Sequence, residues 1–331
     1  MIIKTKPKVS VIIPLYNQKQ FVGQAIESIL NQSYENIEII VVNDGSTDNP
    51  FSVLEKYKDN IILINQENKG LAGARNTGIK NSSGEYLQLL DADDFLHEDK
   101  IKLQLEFLKN HNAIISYCEA IQYDNDSKKI YPNYIGKVED MFSSIYNIWE
   151  KSPLPSHSLL IKREVFDRFG LFDEQLKASE DTYFFSKLAA KGIDFKYYPF
   201  YGCFRRLHKY QMTKNNLKMI EYLIKYYKKL NEYLGDNFFL NKYGYTGFQM
   251  MCANLTYLYR FSIYANVKRK ELRSIKRLLK KNRIKFESMP IPLNYKRFKL
   301  KRFILSAYLR RLLKKTFTAK IMKTLETMKN S

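Results

Sequence analysis

The 331-residue chain is 45% hydrophobic and 14% aromatic, which suits a folded protein with a sizeable core and excludes a disordered one. Its net charge of +21 is unevenly placed: residues 267–331 hold 22 of the 55 Lys and Arg but only three of the 34 acids, so the remainder is nearly neutral. Cys118, Cys203 and Cys252 are scattered, without zinc spacing, and point to a reducing cytosol; no apolar run is long enough to span a membrane, and Pro14 interrupts the one near the N-terminus, with no small-residue cleavage site after it.

The first hundred residues alternate in type. "VSVIIP" (9–14) predicts a buried strand, and the period through Phe21, Ala25, Ile26, Ile29 and Leu30 predicts a helix over 19–31. A second strand is expected at 37–44, a helix near 50–58, a third strand at 61–65, a helix over 71–80 and a fourth strand at 86–90. Such alternation implies a parallel sheet covered on both faces, with ligands at the carboxyl ends of its strands. Further strands are expected at 114–123 and 157–162, and helices near 164–169 and 180–191. Beyond about Asn215 the chain turns Lys- and Tyr-rich and helical, so the expected division is a catalytic domain over 1–215 and a basic helical region over 216–331.

Polar clusters fall at the strand ends: Pro14, Tyr16 and Asn17 after the first, "VNDGSTD" after the second, "DADD" after the fourth. No GxGxxG follows the first strand, which argues against a dinucleotide site. Asp91, Asp93 and Asp94 stand together directly after an apolar run, and crowded carboxylates repel unless a cation or ligand compensates them. A divalent cation between two carboxylates and an anionic ligand would resolve that conflict, and hard oxygen donors suit Mg²⁺ or Mn²⁺. Asp94 is expected to cap the helix that follows near His97, and Asp48 the helix after the second strand. Glu180 and Asp181 open a helix, a position that favours acids through the helix dipole.

"VSVIIPLYN", "VVNDGSTD", "NKGLAGARNTGI", "LLDADD", "FDEQLKASEDTYF" and "RLHKYQMT" occur in the order and rough spacing of family 2 glycosyltransferases, and residues 7–215 resemble that family. The resemblance implies a GT-A fold, an α/β arrangement in which a Rossmann-like, nucleotide-sugar-binding mixed sheet is flanked by helices. It implies an inverting sugar transfer from a UDP-sugar, with Pro14, Tyr16, Asp44, Arg75, Asp91, Ala92 and Asp93 around the donor. Asp44 would accept the uracil N–H, Arg75 would lie near the diphosphate, and Asp93 with His208 would hold Mn²⁺ or Mg²⁺. Asp181 would be the base that takes the acceptor's proton, with Glu180 and Trp149 on the acceptor side. Gln211 departs from the family's usual Ser, and the segment 205–213 is expected to be a mobile loop over the donor.

The basic C-terminal region contains "KRFILSAYLRRLLKKTF", in which Leu305, Leu309, Leu312, Leu313 and Phe317 share one helical face and Arg310, Arg311, Lys314 and Lys315 the other. That pattern suits an anionic membrane surface; no nucleic-acid motif accompanies it. A lipid-linked glycan acceptor at the cytoplasmic face, as in surface or capsular polysaccharide assembly, fits both features. Transfer onto polyprenyl phosphate and a catalytically silent membrane scaffold are the rival expectations.

Overall fold

In a computed structural model the described residues are 6–133, 135–146, 154–209, 211, 216–252, 254–255 and 269–284. The element order begins β1 (Val9–Leu15), α1 (Lys19–Leu30), β2 (Ile37–Asp44), α2 (Phe51–Leu54, extended by a 3₁₀ turn to Tyr57) and β3 (Ile62–Gln66). It continues with α3 (Gly70–Lys80), β4 (Tyr86–Leu89), β5 (Phe95–Leu96), α4 (Lys100–Asn110), β6 (Ile115–Asp124) and β7 (Ile130–Asn133). After these come α5 (Met141–Tyr146), β8 (Leu159–Lys162), α6 (Glu164–Phe169), α7 (Glu180–Ala190), β9 (Lys196–Leu207), α8 (Asn216–Tyr243, kinked at Gly235) and α9 (Arg269–Lys281).

The strands form one sheet in the order β3-β2-β1-β4-β8-β6-β9-β5, with β7 paired to β6. The parallel arrangement expected from the alternation holds from β3 through β4. It ends there: β8 is antiparallel to both β4 and β6, β9 is parallel to β6, and β5 is antiparallel to β9, so the whole sheet is mixed. The segment expected as a mobile loop is also different, because Arg205, Arg206 and Leu207 complete β9, paired with Gln122, Tyr123 and Asp124 of β6.

Period-two side-chain direction divides the core between the two faces of the sheet. Val9, Val11, Ile13 and Leu15 of β1 face α1 and α4, joined by Ile39 and Val41. Ile12, Leu87 and Leu89 point the other way, with Ala72 and Ile79 of α3 and with Phe166, Phe184 and Leu188 of α6 and α7. Helix α3 lies so close to β1 that a Cβ on Gly78 would stand 2.4 Å from Ile12 Cγ2. Helices α8 and α9 build a third core on Phe142, Tyr146, Leu176 and Tyr183, using Tyr226, Tyr227, Leu230, Ile275 and Leu279. No helix among the described residues is long and apolar enough to cross a membrane. Trp149, Met212, Thr213 and the amphipathic stretch 301–317 lie outside the described residues.

Candidate active site

The carboxyl ends of β1, β2 and β4 open onto one side of the sheet, and the loops that follow them interlock. Asn17, in the left-handed region at φ 52°, accepts from the Thr47 amide, while its own amide donates to Ser46 Oγ, tying the β1 and β2 ends together. Asp48 takes part in the same tie rather than capping α2: its Oδ2 accepts from the Lys19 amide at the start of α1, and Pro50 occupies the cap of α2. Tyr16 is half exposed at this rim, and Pro14 is buried within β1.

Asp44, buried at the end of β2, receives three protein donors. Its Oδ1 accepts from Gln66 Nε2 (2.6 Å) and the Lys69 amide (2.8 Å), and its Oδ2 from the Gly70 amide (2.9 Å). The carboxylate therefore caps α3, where unpaired amides and the helix dipole favour an anion. A carboxylate offers about four lone pairs, so roughly one remains for a further donor.

Arg75 lies at the centre of the site and is 1% exposed. Its Nη1 donates to Glu180 Oε1 at 2.6 Å, and its Nη2 to Asp91 Oδ1 at 2.6 Å and Ser156 Oγ at 3.0 Å. Asp181 Oδ2 is 3.9 Å from Nη1. One buried guanidinium thus joins the turn after β4 to the first turn of α7, a geometry its planar fork suits. Burial works against charge on Arg75, but Asp91, Glu180 and Asp181 together raise its pKa above the ordinary value. Burial likewise pushes Asp91 up, and Arg75, then His157, outweigh it and hold that carboxyl below its usual range. For Glu180 burial wins: with Asp181 adding to it and Arg75 opposing, the carboxyl is raised to about 7.

Helix α7 enters through Ser179, a non-glycine residue at φ 61°. That conformation costs on the order of 1 kcal/mol and sets the direction of the two acids that follow it. Asp181 keeps 26% of its side chain exposed, while Glu180 keeps 2%. Asp181 Oδ1 accepts from the Thr182 amide at 2.6 Å, leaving its carboxylate at the open edge of the cluster.

The DADD turn connects β4 to β5, closed by the Asp94 amide donating to the Asp91 carbonyl. Ala92 is buried within it. Asp94 does not cap the following helix. Its Oδ1 accepts from the Arg206 amide at 2.8 Å and its Oδ2 lies 2.8 Å from His157 Nδ1, so it ties β9 and the 156–158 turn to the motif. Burial, reinforced by Asp93, raises the Asp94 pKa, with His157 opposing. Arg206 in turn donates through Nε to the Asp93 carbonyl (2.8 Å) and packs over Phe21, Phe95 and Tyr123. Gln211, at the family's serine position, donates to the Arg206 carbonyl.

This bracing brings His208 to Asp93: Nε2 and Oδ2 are 2.8 Å apart, and Phe21 packs 4.6 Å from the imidazole. Two ligands in neighbouring positions of an octahedral Mg²⁺ or Mn²⁺ shell, bonded at about 2.1 Å, lie about 3 Å apart. The pair therefore fits a divalent ion in spacing and donor type. Asp91, Asp94 and His157 also place ligand atoms within 4.8 Å of one another. There, however, Asp91 is taken by Arg75 and Asp94 by the Arg206 amide, so the carboxylates are already compensated. Sequence reasoning left Ser156 and Gln66 out of the site and placed His157 only in the region of the acceptor pocket, with no role; none carries a local signal, since each acts through partners distant in the chain.

The family model described as Glycosyl transferase family 2 matches residues 10–170. An uncharacterised glycosyltransferase of Rickettsia typhi is 36% identical over 221 residues, covering 65% of this chain and 69% of that protein. Glycosyltransferase GlyA of Streptococcus pneumoniae is 33% identical over 194 residues, 56% of this chain but only 28% of its own. The chain belongs to glycosyltransferase family 2. Its fold is the GT-A fold: TarS of S. aureus, solved in complex with UDP-GlcNAc, aligns with a TM-score of 0.58 at 19% identity, covering 82% of this chain and 79% of that one. PcManGT, a mannosyltransferase of Pyrobaculum calidifontis solved in complex with GDP-Man and Mn²⁺, aligns with a TM-score of 0.53 at 18% identity, covering 94% and 89%.

Proposed function

We propose that the chain is a metal-dependent, inverting glycosyltransferase that moves a hexosyl or N-acetylhexosaminyl group from a UDP-sugar to a hydroxyl of a lipid-linked glycan. The observation that carries this reading is the Arg75 junction, which sets the DADD turn and the acids of α7 in one cluster at the strand ends. The remaining acceptor capacity of Asp44 suits one N–H of a nucleobase, a donor that uracil N3–H would supply. Tyr16, exposed just past the end of β1, and Pro14, buried within that strand, are assigned to the donor side. The UDP-GlcNAc complex of TarS and the Mn²⁺ complex of PcManGT support the donor class and the metal.

Asp181, the acid of α7 that stays open, takes the acceptor hydroxyl's proton. The hydroxyl oxygen bonds to the anomeric carbon as the bond to the UDP oxygen breaks. The electron pair leaves on the β-phosphate, and attack from the opposite side inverts the configuration. Asp93 and His208 would hold Mn²⁺ or Mg²⁺, which supplies positive charge to the departing diphosphate when bound. Arg75 balances Asp91 and Glu180 so that a second polyanion can approach, and Glu180 orients the acceptor side through it. Trp149 is assigned to the acceptor pocket. The division into a catalytic domain over 1–215 and a basic helical region over 216–331 is part of this reading. So are a place at the cytoplasmic face of the membrane, an anionic membrane surface as partner and a role in surface or capsular polysaccharide assembly.

The test is UDP release from a panel of UDP-sugars, with GDP-mannose as contrast, in Mn²⁺, Mg²⁺ or EDTA, on wild type and Asp93→Ala. Metal-dependent release from one UDP-sugar, lost in the variant, is the expected result. Turnover indifferent to EDTA and to Asp93 would remove the metal assignment, and turnover of GDP-mannose alone would remove the uridine one.

A further inference from the structure

Helix α9 divides its faces sharply. Ile275 and Leu279, followed by Ile284, are buried in the core shared with α8, so its apolar stripe is already used inside the protein. Outward it presents Lys270, Arg273, Lys276, Arg277, Lys280 and Lys281, and Arg283 just beyond, all exposed. Glu271 is the one acid between Val267 and Phe286.

A helix face that merely meets water gains from interleaving acids with bases at i,i+3 and i,i+4. Here those spacings pair like charges: Arg273 with Arg277, Lys276 with Lys280 and Arg277 with Lys281. Each such pair is slightly unfavourable, and an anionic surface would offset all of them at once. The 13-residue helix is about 20 Å long, a straight cationic edge. It contains no aromatic residue on which a base could stack, which weighs against single-stranded nucleic acid.

We infer that the outer face of α9 is an electrostatic docking surface for anionic lipid headgroups, engaging them without inserting because its apolar side is committed to α8. The chain after Ile284 adds thirteen further Lys and Arg against Glu287 and Glu326, which extends the same charge. This deepens the membrane-surface part of the proposed function and is independent of the donor chemistry.

The full chain is sedimented with vesicles of phosphatidylcholine alone or mixed with phosphatidylglycerol, at low and high salt. The variant replaces Lys276, Arg277, Lys280 and Lys281 by Gln, and its melting transition is recorded to establish that it folds. Wild type is expected on phosphatidylglycerol vesicles only and to be released by salt, with partitioning of the variant weakened by roughly 10-fold or more. Equal binding to phosphatidylcholine, unchanged partitioning of the folded variant, or tighter binding to a DNA duplex than to vesicles at the same salt would overturn the inference. Because UDP release needs no vesicle, its failure with intact vesicle binding would remove the enzymatic reading and leave the docking surface standing.

Discussion

Replacing Arg75 by Met keeps much of the side chain's bulk and removes the charge on which Glu180 and Asp91 depend. Both lose a 2.6 Å charge-assisted hydrogen bond, and Glu180, which is 1% exposed, has no water to replace it. Deleting one partner of a buried pair costs about 3–5 kcal/mol, because the other charge remains buried and unpaired. The pH dependence follows from Glu180. Its folded pKa, about 7, already lies above the ordinary carboxyl value of 4.5. The folded state therefore binds more protons than the unfolded state between those values, and ionising Glu180 lowers stability as pH rises through that window.

Without Arg75 the Glu180 pKa moves higher still, so the extra cost appears only where Glu180 is ionised in the wild type. Urea unfolding should give Arg75→Met a deficit of about 3–5 kcal/mol at pH about 8.5, shrinking by roughly half at pH about 5.5, where Glu180 carries its proton in both proteins. Arg75→Lys should fall between, since a single ammonium cannot bridge two carboxylates as the guanidinium does. A deficit equal at both pH values, or under about 1 kcal/mol at the higher one, would refute the view that Arg75 serves to compensate buried acids.

Asp181→Asn should lower acceptor-dependent turnover by roughly 100-fold or more while leaving the urea midpoint unchanged; full activity would instead indicate an acceptor that needs no base, such as a phosphate. Asp94→Ala frees the Arg206 amide and loosens the end of β9, so apparent Mn²⁺ affinity should drop by roughly 10-fold in a titration of UDP release. Gly78→Ala puts a methyl 2.4 Å from Ile12 Cγ2 and should cost about 1–3 kcal/mol, read as a lowered melting temperature; an unchanged one would mean that α3 can lift from β1 freely.

The parallel half of the sheet is plain in the amino-acid order because β1, β4 and most of β2 are buried on both faces, and its strands are bounded by turn residues. The second strand was expected at residues 37–44 and β2 is Ile37–Asp44. The far half is legible only in part: the expected strands at 114–123 and 157–162 correspond to β6 and β8, but its other strands escape local pattern. Strand β9 reads "KYYPFYGCFRRL", with Pro199 and Gly202 inside and two arginines at its end, so neither alternation nor an apolar run marks it. Strand β5 is two residues long and exists only because β9 lies beside it. Helix α4 buries Lys100 and Gln104, which bond to each other and, through Lys100, to Gln88 of β4, so polar letters occupy its inner face. Strand order is also beyond local pattern: that β8 enters antiparallel between β4 and β6 depends on pairings made far along the chain.

The acids of the site stand out in the sequence because carboxylates massed after a buried strand demand compensation. What compensates them does not stand out, since Arg75 reaches Glu180 across 105 residues. The family resemblance offers Arg75 as a phosphate contact; the structure ties it to carboxylates. The two roles are compatible on physical grounds. On the proposed function, a cleft that accepts a diphosphate while keeping Asp91, Asp93, Glu180 and Asp181 close by would repel its ligand if those charges stood bare. Spending one buried cation on Asp91 and Glu180 leaves Asp93, beside His208, and Asp181, at the open edge, as the two acids free to differ in task. The same arrangement explains why Glu180, sequence neighbour of Asp181, is poorly placed as the base: it is enclosed against Arg75, whereas a proton acceptor for an incoming hydroxyl must be reachable by it.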